Sequence, residues 1–375
     1  MRRVSASFSA DAVPGVRRVV LAENLPREWE PGLRFSVLAN SQAERDLVGR
    51  LAAGGVGNLG WVAAEALQAG DVIAPLRDKE QAVVLFREHD QHHALQLTNR
   101  CNSYCLMCSQ PPTPQDDSWM VNEAMESIKH IRESPRTLGF SGGEPLLLGS
   151  GLRRIMDCVA EHHPSTAVEI LTNGRKLSDS ALTANLLGDL QHDVSWLVPL
   201  YGPVDLIHDF VVQAPGAFDE TVGGLLALQE HEQPIQLRVV LIRPVLENLV
   251  ELCGFIGRNL PFVREVALMA CEPIGFALAN REHCEVDLAD WSDTLQDATR
   301  VLRRHRVPFL FMNTPLCALP ASSWDDAHKS ISDWKNVYAD ECSACTVRDR
   351  CAGLFAWHER GWKPTTVRAI QEVTI

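Results

Sequence analysis

The cysteines are the residues of this chain that could do the most distinctive chemistry. There are 11 of them among 375 residues, and most of them lie in two clusters. The first cluster is Cys101, Cys105 and Cys108, with the spacing C-x3-C-x2-C. Three thiolates on one short loop suit three irons of a cubane iron–sulfur cluster, because such clusters take soft thiolate ligands. No fourth cysteine follows at a matching spacing, so one iron would be open, as in catalytic metal sites.

A zinc site or a loop of buried thiols is the alternative for this cluster. Zinc usually needs a fourth Cys or His nearby, and the 20 residues after Cys108 contain neither. The spacing therefore favours iron–sulfur over zinc.

Gly142-Gly143-Glu144-Pro145 ends the second of the predicted core strands. Two glycines allow a ligand to approach the backbone closely, and the Glu144 carboxylate suits an ammonium group. Further along the chain, Thr172-Asn173-Gly174 presents hydroxyl and amide groups suited to a ribose or a carboxylate, and Leu200-Tyr201-Gly202 ends the next strand. Each motif alone also reads as an ordinary turn. Together they lie at the ends of successive strands, where parallel barrels build active sites.

The second cysteine cluster is Cys342, Cys345 and Cys351, with the spacing C-x2-C-x5-C, and Cys317 lies upstream. Four thiolates make a closed site for zinc or for a second iron–sulfur cluster. Cys284 is the rival for the fourth position.

The elements that must position these residues alternate regularly from about residue 93. Alternating strands and helices indicate βαβ units with a parallel sheet, here an α/β partial (β/α)6 TIM-like barrel or a doubly wound sheet. The predicted strands are Ala94–Thr98, Thr137–Ser141, Ala167–Thr172, Val194–Leu200, Ile235–Ile242 and Val263–Met269. The predicted helices are Asn122–Glu133, Leu152–His162, Asp179–Leu190, Phe218–Gln229, Leu246–Gly257 and Leu288–His305.

Three domains are expected on this pattern: a small α+β domain over residues 1–90, the core over 91–306 and a Cys-rich extension over 307–375. In the first domain, strands are expected at Val16–Ala22, Phe35–Ala39, Val72–Leu76 and Ala82–Phe86, and a helix at Ala43–Ala53. It carries no catalytic signature, and its position suggests that it docks a peptide or a partner.

Composition excludes several classes of protein. Apolar residues make up 46% and charged residues 22%, which excludes a disordered chain. The formal charge of −13 argues against broad nucleic-acid binding. No apolar run approaches a membrane span, and no apolar segment of a signal peptide follows Arg2 and Arg3. The expected location is therefore the cytoplasm, where thiols stay reduced.

Cys101, Cys105 and Cys108, with Gly142-Gly143-Glu144-Pro145 and Thr172-Asn173-Gly174, resemble the motifs of the radical S-adenosylmethionine (SAM) superfamily. The resemblance covers roughly residues 93–270. It implies that the three cysteines ligate a [4Fe-4S] cluster whose open iron binds the amino and carboxylate groups of SAM. An electron from the cluster would cleave SAM to methionine and a 5′-deoxyadenosyl radical, which abstracts a substrate hydrogen atom.

The same resemblance implies the remaining cofactor contacts. Gly142, Gly143 and Glu144 would hold the SAM amino group, and Thr172 and Asn173 would contact its ribose or carboxylate. An electron donor such as a flavodoxin or a ferredoxin would be needed. One departure is visible, because methionine stands before the last cysteine of the loop where the superfamily usually has an aromatic residue.

The C-terminal cysteines resemble the SPASM and twitch extensions of peptide-modifying radical SAM enzymes, which carry auxiliary [4Fe-4S] clusters. Phe355 stands where the next cysteine of the full SPASM pattern would fall, so one auxiliary cluster is expected, on Cys317, Cys342, Cys345 and Cys351. This assignment favours iron–sulfur over zinc.

The segment Leu97–Pro112, with Leu200–Pro203, His208-Asp209 and Gly216–Phe218, resembles the C component of the His-Xaa-Ser system radical SAM maturases. It implies a maturase of a ribosomally made peptide that works beside a second radical SAM protein. Cys271, directly after the last predicted barrel strand, is a candidate hydrogen donor or substrate-facing thiol, with a packed thiol as its alternative. A radical SAM enzyme acting on a small molecule and a non-catalytic iron–sulfur or zinc protein remain open.

Overall fold

The structure is a computed structural model that describes residues 2–9, 14–76, 78, 80–190 and 192–371. It contains two compact units. The first unit comprises Met1–Leu97, Asp117–Phe140 and Gly151–Val168, and the second comprises Thr98–Asp116, Ser141–Ser150 and Glu169–Ile375. Both cysteine clusters lie in the second unit, together with most of the chain between them. No helix of the described residues is long and apolar enough to cross a membrane.

The first unit contains a mixed seven-stranded sheet with the order β1-β7-β6-β3-β4-β5-β2. β3 pairs with β4 and β4 with β5 in parallel, whereas the pairs β1–β7, β2–β5, β3–β6 and β6–β7 are antiparallel. Its strands are β1 (Arg2–Ser5), β2 (Ser7–Phe8), β3 (Arg17–Val20), β4 (Phe35–Leu38), β5 (Leu59–Ala63), β6 (Val72–Leu76) and β7 (Gln81–Phe86). The four strands predicted here are confirmed to within two residues. β1, β2 and β5 were not expected.

Helix α2 (Gln42–Ala53) follows β4 and begins directly after the capping residue Ser41. Ser41 accepts a hydrogen bond from the Glu44 amide, while the Glu44 carboxylate accepts one from the Ser41 amide, which is a capping box. The helix ends at Gly54. On the apolar face of the helix, Val48 packs in one cluster with Phe35 and Val37 of the sheet. The short helix α1 (Leu25–Glu28) precedes β4.

A second seven-stranded sheet has the order β14-β13-β12-β11-β10-β9-β8, so that neighbouring strands are also consecutive in the chain. The strands from β11 to β14 pair in parallel. Its strands are β8 (Ala94–Gln96), β9 (Thr137–Ser141), β10 (Ala167–Leu171), β11 (Val194–Pro199), β12 (Ile235–Leu241), β13 (Glu265–Ala270) and β14 (Phe309–Met312). The predicted parallel α/β core is thus confirmed, but it has seven strands rather than six, because β14 extends it past residue 306.

The helices of this region lie mainly where the periodicity predicted them. They are α3 (Trp119–His130), α4 (Ser150–His162), α5 (Ser180–Leu187), α6 (Asp205–Val212), α7 (Ala217–Glu230), α8 (Arg243–Leu246), α9 (Leu249–Asn259), α10 (Phe276–Ala279), α11 (Arg281–Cys284) and α12 (Ser292–His305). Right-handed crossovers between parallel strands place their helices on one face of a sheet. Along β12, Leu237 and Val239 are fully buried, while the alternate residues Gln236, Arg238 and Val240 are partly exposed on the other face.

The Cys-rich extension has little regular structure. A two-stranded antiparallel ribbon of β15 (Asn336–Val337) and β16 (Leu354–Phe355) is its one sheet in the described residues. Short 3-10 turns at Leu316–Ala318 and Asp340–Ala344 carry two of its cysteine segments. Small apolar clusters around Leu316 and Leu354 hold these segments together.

Candidate SAM and metal sites

The loop of Cys101, Cys105 and Cys108 is fixed on one side by the end of α6. The amide of Tyr104 donates to the carbonyl of Val212 at 3.0 Å, and that of Leu106 donates to Val211 at 2.9 Å. On another side, the amide of Phe276 donates to the carbonyl of Cys108 at 2.8 Å. The backbone of the loop is therefore held on both sides of Cys105 and at Cys108 by elements distant in sequence.

The three thiols of this loop are partly exposed. Burial, the largest cause, raises the pKa of Cys101 to about 11 and that of Cys105 to about 12, and the neighbouring thiols add to both shifts. Burial also raises the pKa of Cys108, whose Sγ donates to the Gln110 carbonyl at 3.1 Å. Three desolvated thiols that repel one another as thiolates suit a cationic iron–sulfur cluster, which would neutralise their charge.

Two amides already aim at this donor set, since Asn102 and Ser103 donate backbone hydrogen bonds to Cys101. Such bonds to sulfur are among the interactions that tune iron–sulfur clusters. Among the described residues, no three His, Cys, Asp or Glu side chains are already arranged to hold a metal ion. The assignment of Cys101, Cys105 and Cys108 as ligands remains a prediction that the donor chemistry fits.

The Gly142-Gly143-Glu144 turn packs directly on the start of the cysteine loop. The amide of Gly143 donates to the Thr98 carbonyl, and that of Glu144 donates to the Arg100 carbonyl, both at 2.8 Å. A Cβ atom at Gly142 would lie 2.3 Å from the Thr98 oxygen, and one at Gly143 would lie 2.1 Å from the Arg100 oxygen. The glycines therefore permit the close approach of two backbone segments, and the predicted close approach of a ligand to this turn remains a prediction.

The Glu144 side chain is fully buried and accepts three hydrogen bonds. Its donors are the Leu146 amide at 2.9 Å, the Thr172 hydroxyl at 2.5 Å and the Asn173 amide at 2.6 Å. Burial, the largest cause, raises the pKa of this carboxyl, while the three hydrogen bonds act against the shift. Glu144 thus fastens the glycine turn to the Thr172-Asn173 motif, and the predicted contact with the SAM amino group remains a prediction.

The predicted ribose or carboxylate residue Asn173 also contacts the cysteine loop. Its Nδ2 donates to Asn102 Oδ1 at 2.7 Å. Arg175, which the sequence reading did not single out, donates to the Asn102 carbonyl and to the Ser103 hydroxyl, the latter at 3.0 Å. Its Nε pairs with Glu220 at 2.6 Å. The three motifs that resembled SAM-binding motifs therefore form one connected network in the second unit.

Tyr201 follows β11 and is nearly buried. Its amide donates to His208 Nδ1 at 3.2 Å, and the two rings stack with centroids 5.9 Å apart. Burial lowers the pKa of His208 to about 4. His208 lies in α6, where its ring contacts those of Tyr201 and Phe218.

Cys271 lies directly after β13 and is buried beside Cys284 of α11. The Cys284 thiol donates to the Leu106 carbonyl at 3.6 Å, within the first cysteine loop. The hydrogen bond between the two thiols and burial raise the pKa of Cys271, so the neutral thiol is favoured. A neutral thiol is the form that a hydrogen donor requires, and this role for Cys271 remains a prediction.

The four predicted auxiliary ligands line one pocket in the Cys-rich extension. Cys284, the rival fourth ligand, is not among its lining residues. The four are Cys317, Cys342, Cys345 and Cys351.

Backbone amides point at several of these sulfurs. Those of Leu316 and Gly353 donate to Cys351 Sγ at 3.4 and 3.5 Å. That of Ile370 donates to Cys345 Sγ at 3.5 Å. A set of four thiols with amide donors to sulfur fits a closed iron–sulfur site, although zinc accepts the same four ligands.

No family model matches this chain. In sequence it is similar to a probable GTP 3',8-cyclase of Methanocella arvoryzae, with 28% identity over 199 residues, which is 51% of this chain and 60% of the relative. The match therefore spans less than two thirds of that relative's length. This similarity and the motif residues support the radical SAM superfamily.

Solved structures are similar at a lower level. A Streptococcus suis SuiB bound to S-adenosylmethionine is 12% identical with a TM-score of 0.46, covering 61% of this chain and 51% of that one. A radical SAM methyltransferase from Sphaerobacter thermophilus is 15% identical with a TM-score of 0.42, covering 67% and 71%. The anSMEcpe protein with bound AdoMet and a Cp18Cys peptide is 14% identical with a TM-score of 0.45, covering 58% and 62%.

Proposed function

We propose that this protein is a radical SAM maturase that modifies a ribosomally made peptide of the His-Xaa-Ser type. The observation that carries the SAM-dependent part is the network that joins Asn102 of the cysteine loop, Glu144 and Asn173. It brings the three motifs to one place, as a shared SAM site requires. When bound, the cluster supplies the electron that cleaves SAM to methionine and a carbon radical.

The residues of the chain have the tasks of binding, orientation and exclusion of water. Glu144 is buried, and its carboxylate oxygens accept hydrogen bonds from the protein. It therefore fixes the glycine turn without hydrogen bonds from solvent. Thr172 and Asn173 hold the turn from the neighbouring strand. These contacts keep the site at fixed geometry before a substrate arrives.

The four-thiol pocket supports the peptide reading, since auxiliary clusters occur in the peptide-modifying enzymes that the extension resembles. We therefore propose that Cys317, Cys342, Cys345 and Cys351 hold one auxiliary [4Fe-4S] cluster. A flavodoxin or ferredoxin would supply electrons, and a second radical SAM maturase would act on the same peptide.

A second candidate is a radical SAM enzyme that acts on a nucleotide. The probable GTP 3',8-cyclase supports it, because the name of that relative states a nucleotide substrate. The support of the four-thiol pocket for the peptide reading comes from the resemblance of the extension and not from the geometry of the pocket, so a substrate assay decides between the two candidates.

The first experiment tests SAM cleavage. Protein reconstituted anaerobically with iron and sulfide should convert SAM to 5′-deoxyadenosine and methionine when reduced with dithionite. Cys105→Ala should abolish this cleavage, and Cys158→Ala, which removes a buried thiol of helix α4, should retain it. Full cleavage by Cys105→Ala would refute the ligand assignment.

The second experiment tests the substrate. The chain is co-expressed with neighbouring small open reading frames, and the peptides are analysed by mass spectrometry. A mass change that depends on Cys105 supports the maturase. Turnover of GTP, with every peptide unchanged, would establish the second candidate instead.

A further inference from the structure

Cys271 and Cys284 are two neighbouring thiols that belong to neither predicted cluster. Cys271 directly follows β13, and Cys284 is the last residue of the short helix α11. Only 5% of the surface of Cys271 is exposed and none of that of Cys284, and the two thiols share a hydrogen bond. Neither residue lines the pocket of the four C-terminal cysteines. The fold therefore brings two thiols together at the end of a core strand, where parallel barrels build active sites.

The segment that ends at Cys284 is fastened to the first cysteine loop. The amide of Phe276 donates to the Cys108 carbonyl at 2.8 Å. The side-chain amide of Asn280 donates to the Leu106 carbonyl at 3.0 Å, and the Cys284 thiol donates to the same carbonyl at 3.6 Å. The thiol pair is thus held against the loop that carries the three predicted cluster ligands.

The other two cysteines outside the clusters lack this arrangement. Cys158 lies in α4 and Cys253 in α9, and both are buried. The Cys158 thiol donates to the Met125 carbonyl at 3.9 Å. Among the described residues, no second cysteine affects the ionisation of either thiol. A simple buried thiol therefore explains these two residues, but it does not explain a pair in contact.

Two thiols in contact can exchange between a dithiol and a disulfide. The hydrogen bond to Cys284 and burial raise the pKa of Cys271, whereas the same bond lowers the pKa of Cys284. Cys271 therefore keeps its S–H hydrogen, and Cys284 releases its proton more readily. An S–H bond is weaker than a C–H bond, so a carbon radical can take the hydrogen atom of a nearby thiol.

We propose that Cys271 and Cys284 act together as a dithiol that reduces a carbon radical left at the site and closes to a disulfide. The radical takes the hydrogen atom of the Cys271 thiol and becomes a C–H group. The Cys271 sulfur then bonds to the Cys284 sulfur, the Cys284 proton passes to solvent, and one electron passes to the oxidised iron–sulfur cluster as acceptor. A soluble thiol such as glutathione restores the pair with two electrons and two protons. The proposal rests on the proposed function for the origin of the radical.

Serine variants of the full chain test the pair. Cys271→Ser and Cys284→Ser keep a hydroxyl donor but cannot form a disulfide. Cys253→Ser is the matched control, because it removes a buried thiol that has no second cysteine beside it. Cys271→Ala and Cys284→Ala form a second set without a buried hydroxyl. Circular dichroism and iron content establish that each variant is folded and loaded.

The first experiment measures the redox state of the pair and needs no SAM. The reconstituted chain is equilibrated anaerobically with mixtures of oxidised and reduced glutathione, its free thiols are alkylated, and its peptides are mapped by mass spectrometry. We expect a disulfide between Cys271 and Cys284 that forms and disappears reversibly, with Cys158 and Cys253 alkylated throughout. Absence of this disulfide in oxidised glutathione, with the clusters intact, would overturn the proposal.

The second experiment uses SAM itself as the source of the radical. The chain is reduced in heavy water, freed of excess reductant and given SAM alone for one turnover. We expect 5′-deoxyadenosine that carries one deuterium from the exchanged Cys271 thiol, together with an equal amount of the disulfide. Cys271→Ser should lose most of the deuterium, Cys284→Ser should form no disulfide, and Cys253→Ser should match the wild type.

The outcomes separate this proposal from the function on which it rests. A wild type that leaves SAM intact, but forms the disulfide in glutathione, would contradict the proposed function and leave the redox pair established. SAM cleavage with the same deuterium content in Cys271→Ser as in the wild type would overturn Cys271 as the donor. Deuterium transfer without a disulfide in the wild type would overturn the role of Cys284.

Discussion

The amide side chain of Asn173 donates to the Asn102 side chain at 2.7 Å, across 71 residues of sequence. Asn102 lies between two cysteines of the first loop, and Asn173 follows β10. This contact is a direct side-chain link between the cysteine loop and the strand end that carries the predicted SAM contacts, and Arg175 makes another to the Ser103 hydroxyl. The position of the loop is therefore coupled to the position of those contacts.

Replacement of Asn102 tests that coupling. Asn102→Ala removes the acceptor of Asn173 Nδ2, and a lost hydrogen bond of this kind costs about 1 kcal/mol. We expect SAM to bind roughly fivefold more weakly, with cluster content unchanged, because Cys101 keeps its own backbone donors. Equilibrium dialysis and iron analysis on the reconstituted protein measure the two quantities.

The control for this variant is Asn259→Ala at the exposed end of α9, where Asn259 donates only to the Phe255 carbonyl of its own helix. It should bind SAM like the wild type. Equal SAM affinity in Asn102→Ala would show that the link does not position the SAM contacts.

Gly143 provides a second prediction, because a methyl group there has no room. A Cβ atom would lie 2.1 Å from the Arg100 carbonyl oxygen, a backbone atom that cannot move alone. Gly143→Ala should lower the free energy of unfolding by about 3 kcal/mol and displace the start of the cysteine loop. We expect the variant to lose most of its iron after reconstitution, as measured by iron and sulfide analysis.

Gly57→Ala is the matched control, because its Cβ would meet nothing within 4 Å. Its free energy of unfolding should stay within about 1 kcal/mol of the wild type. Full iron content in Gly143→Ala would show that the cysteine loop binds iron even when the glycine turn is displaced from it, which would contradict the prediction.

His208 predicts a pH-dependent loss of stability. Burial lowers its pKa from 6.5 to about 4, and its Nδ1 accepts the Tyr201 amide, so the folded state holds the neutral ring. As the pH falls, His208 takes up a proton near pH 6.5 in the unfolded chain but only near pH 4 in the folded chain. The contribution of the neutral ring to folding stability is therefore fully present above pH 6.5 and is lost as the pH falls toward 4. The integrated effect is on the order of 3 kcal/mol.

His208→Asn keeps an acceptor for Tyr201 but does not titrate. Urea unfolding at pH 7.5 and pH 5 should therefore show a smaller drop in stability for His208→Asn than for the wild type. His162→Asn, at an exposed position at the end of α4, should drop as the wild type does. Equal drops for all three proteins would contradict the buried, neutral state of His208.

The sequence predicted the core of the fold because its signals are local. Apolar runs and helical periodicity can each be recognised within about a dozen residues. The motifs follow directly after the apolar runs in the sequence, so they lie at the ends of the strands that those runs form. The run at β14 is only four residues long and directly follows Pro308, so it gave no signal. Helix α6 has only eight residues and follows Val204, whose side chain cannot cap a helix, so the sequence carries no clear signal for it.

The contacts of the site could not be predicted in the same way. Arg175 donates to Ser103 across 72 residues, and no local pattern indicates which loop a single arginine reaches. The role of Gly143 is likewise long-range, since only the fold shows that Arg100 lies beneath it.

The last prediction concerns the fourth auxiliary ligand. Cys317 lines the pocket with the other three C-terminal cysteines, whereas Cys284 donates to Leu106 in the first loop. If two cubanes form, the reconstituted wild type should hold about eight irons per chain. Cys317→Ala should reduce this number to about four, while Cys284→Ala should leave it unchanged. Zinc in the wild-type protein, with about four irons, would reject the auxiliary cluster, and iron loss in Cys284→Ala alone would assign the fourth ligand to Cys284.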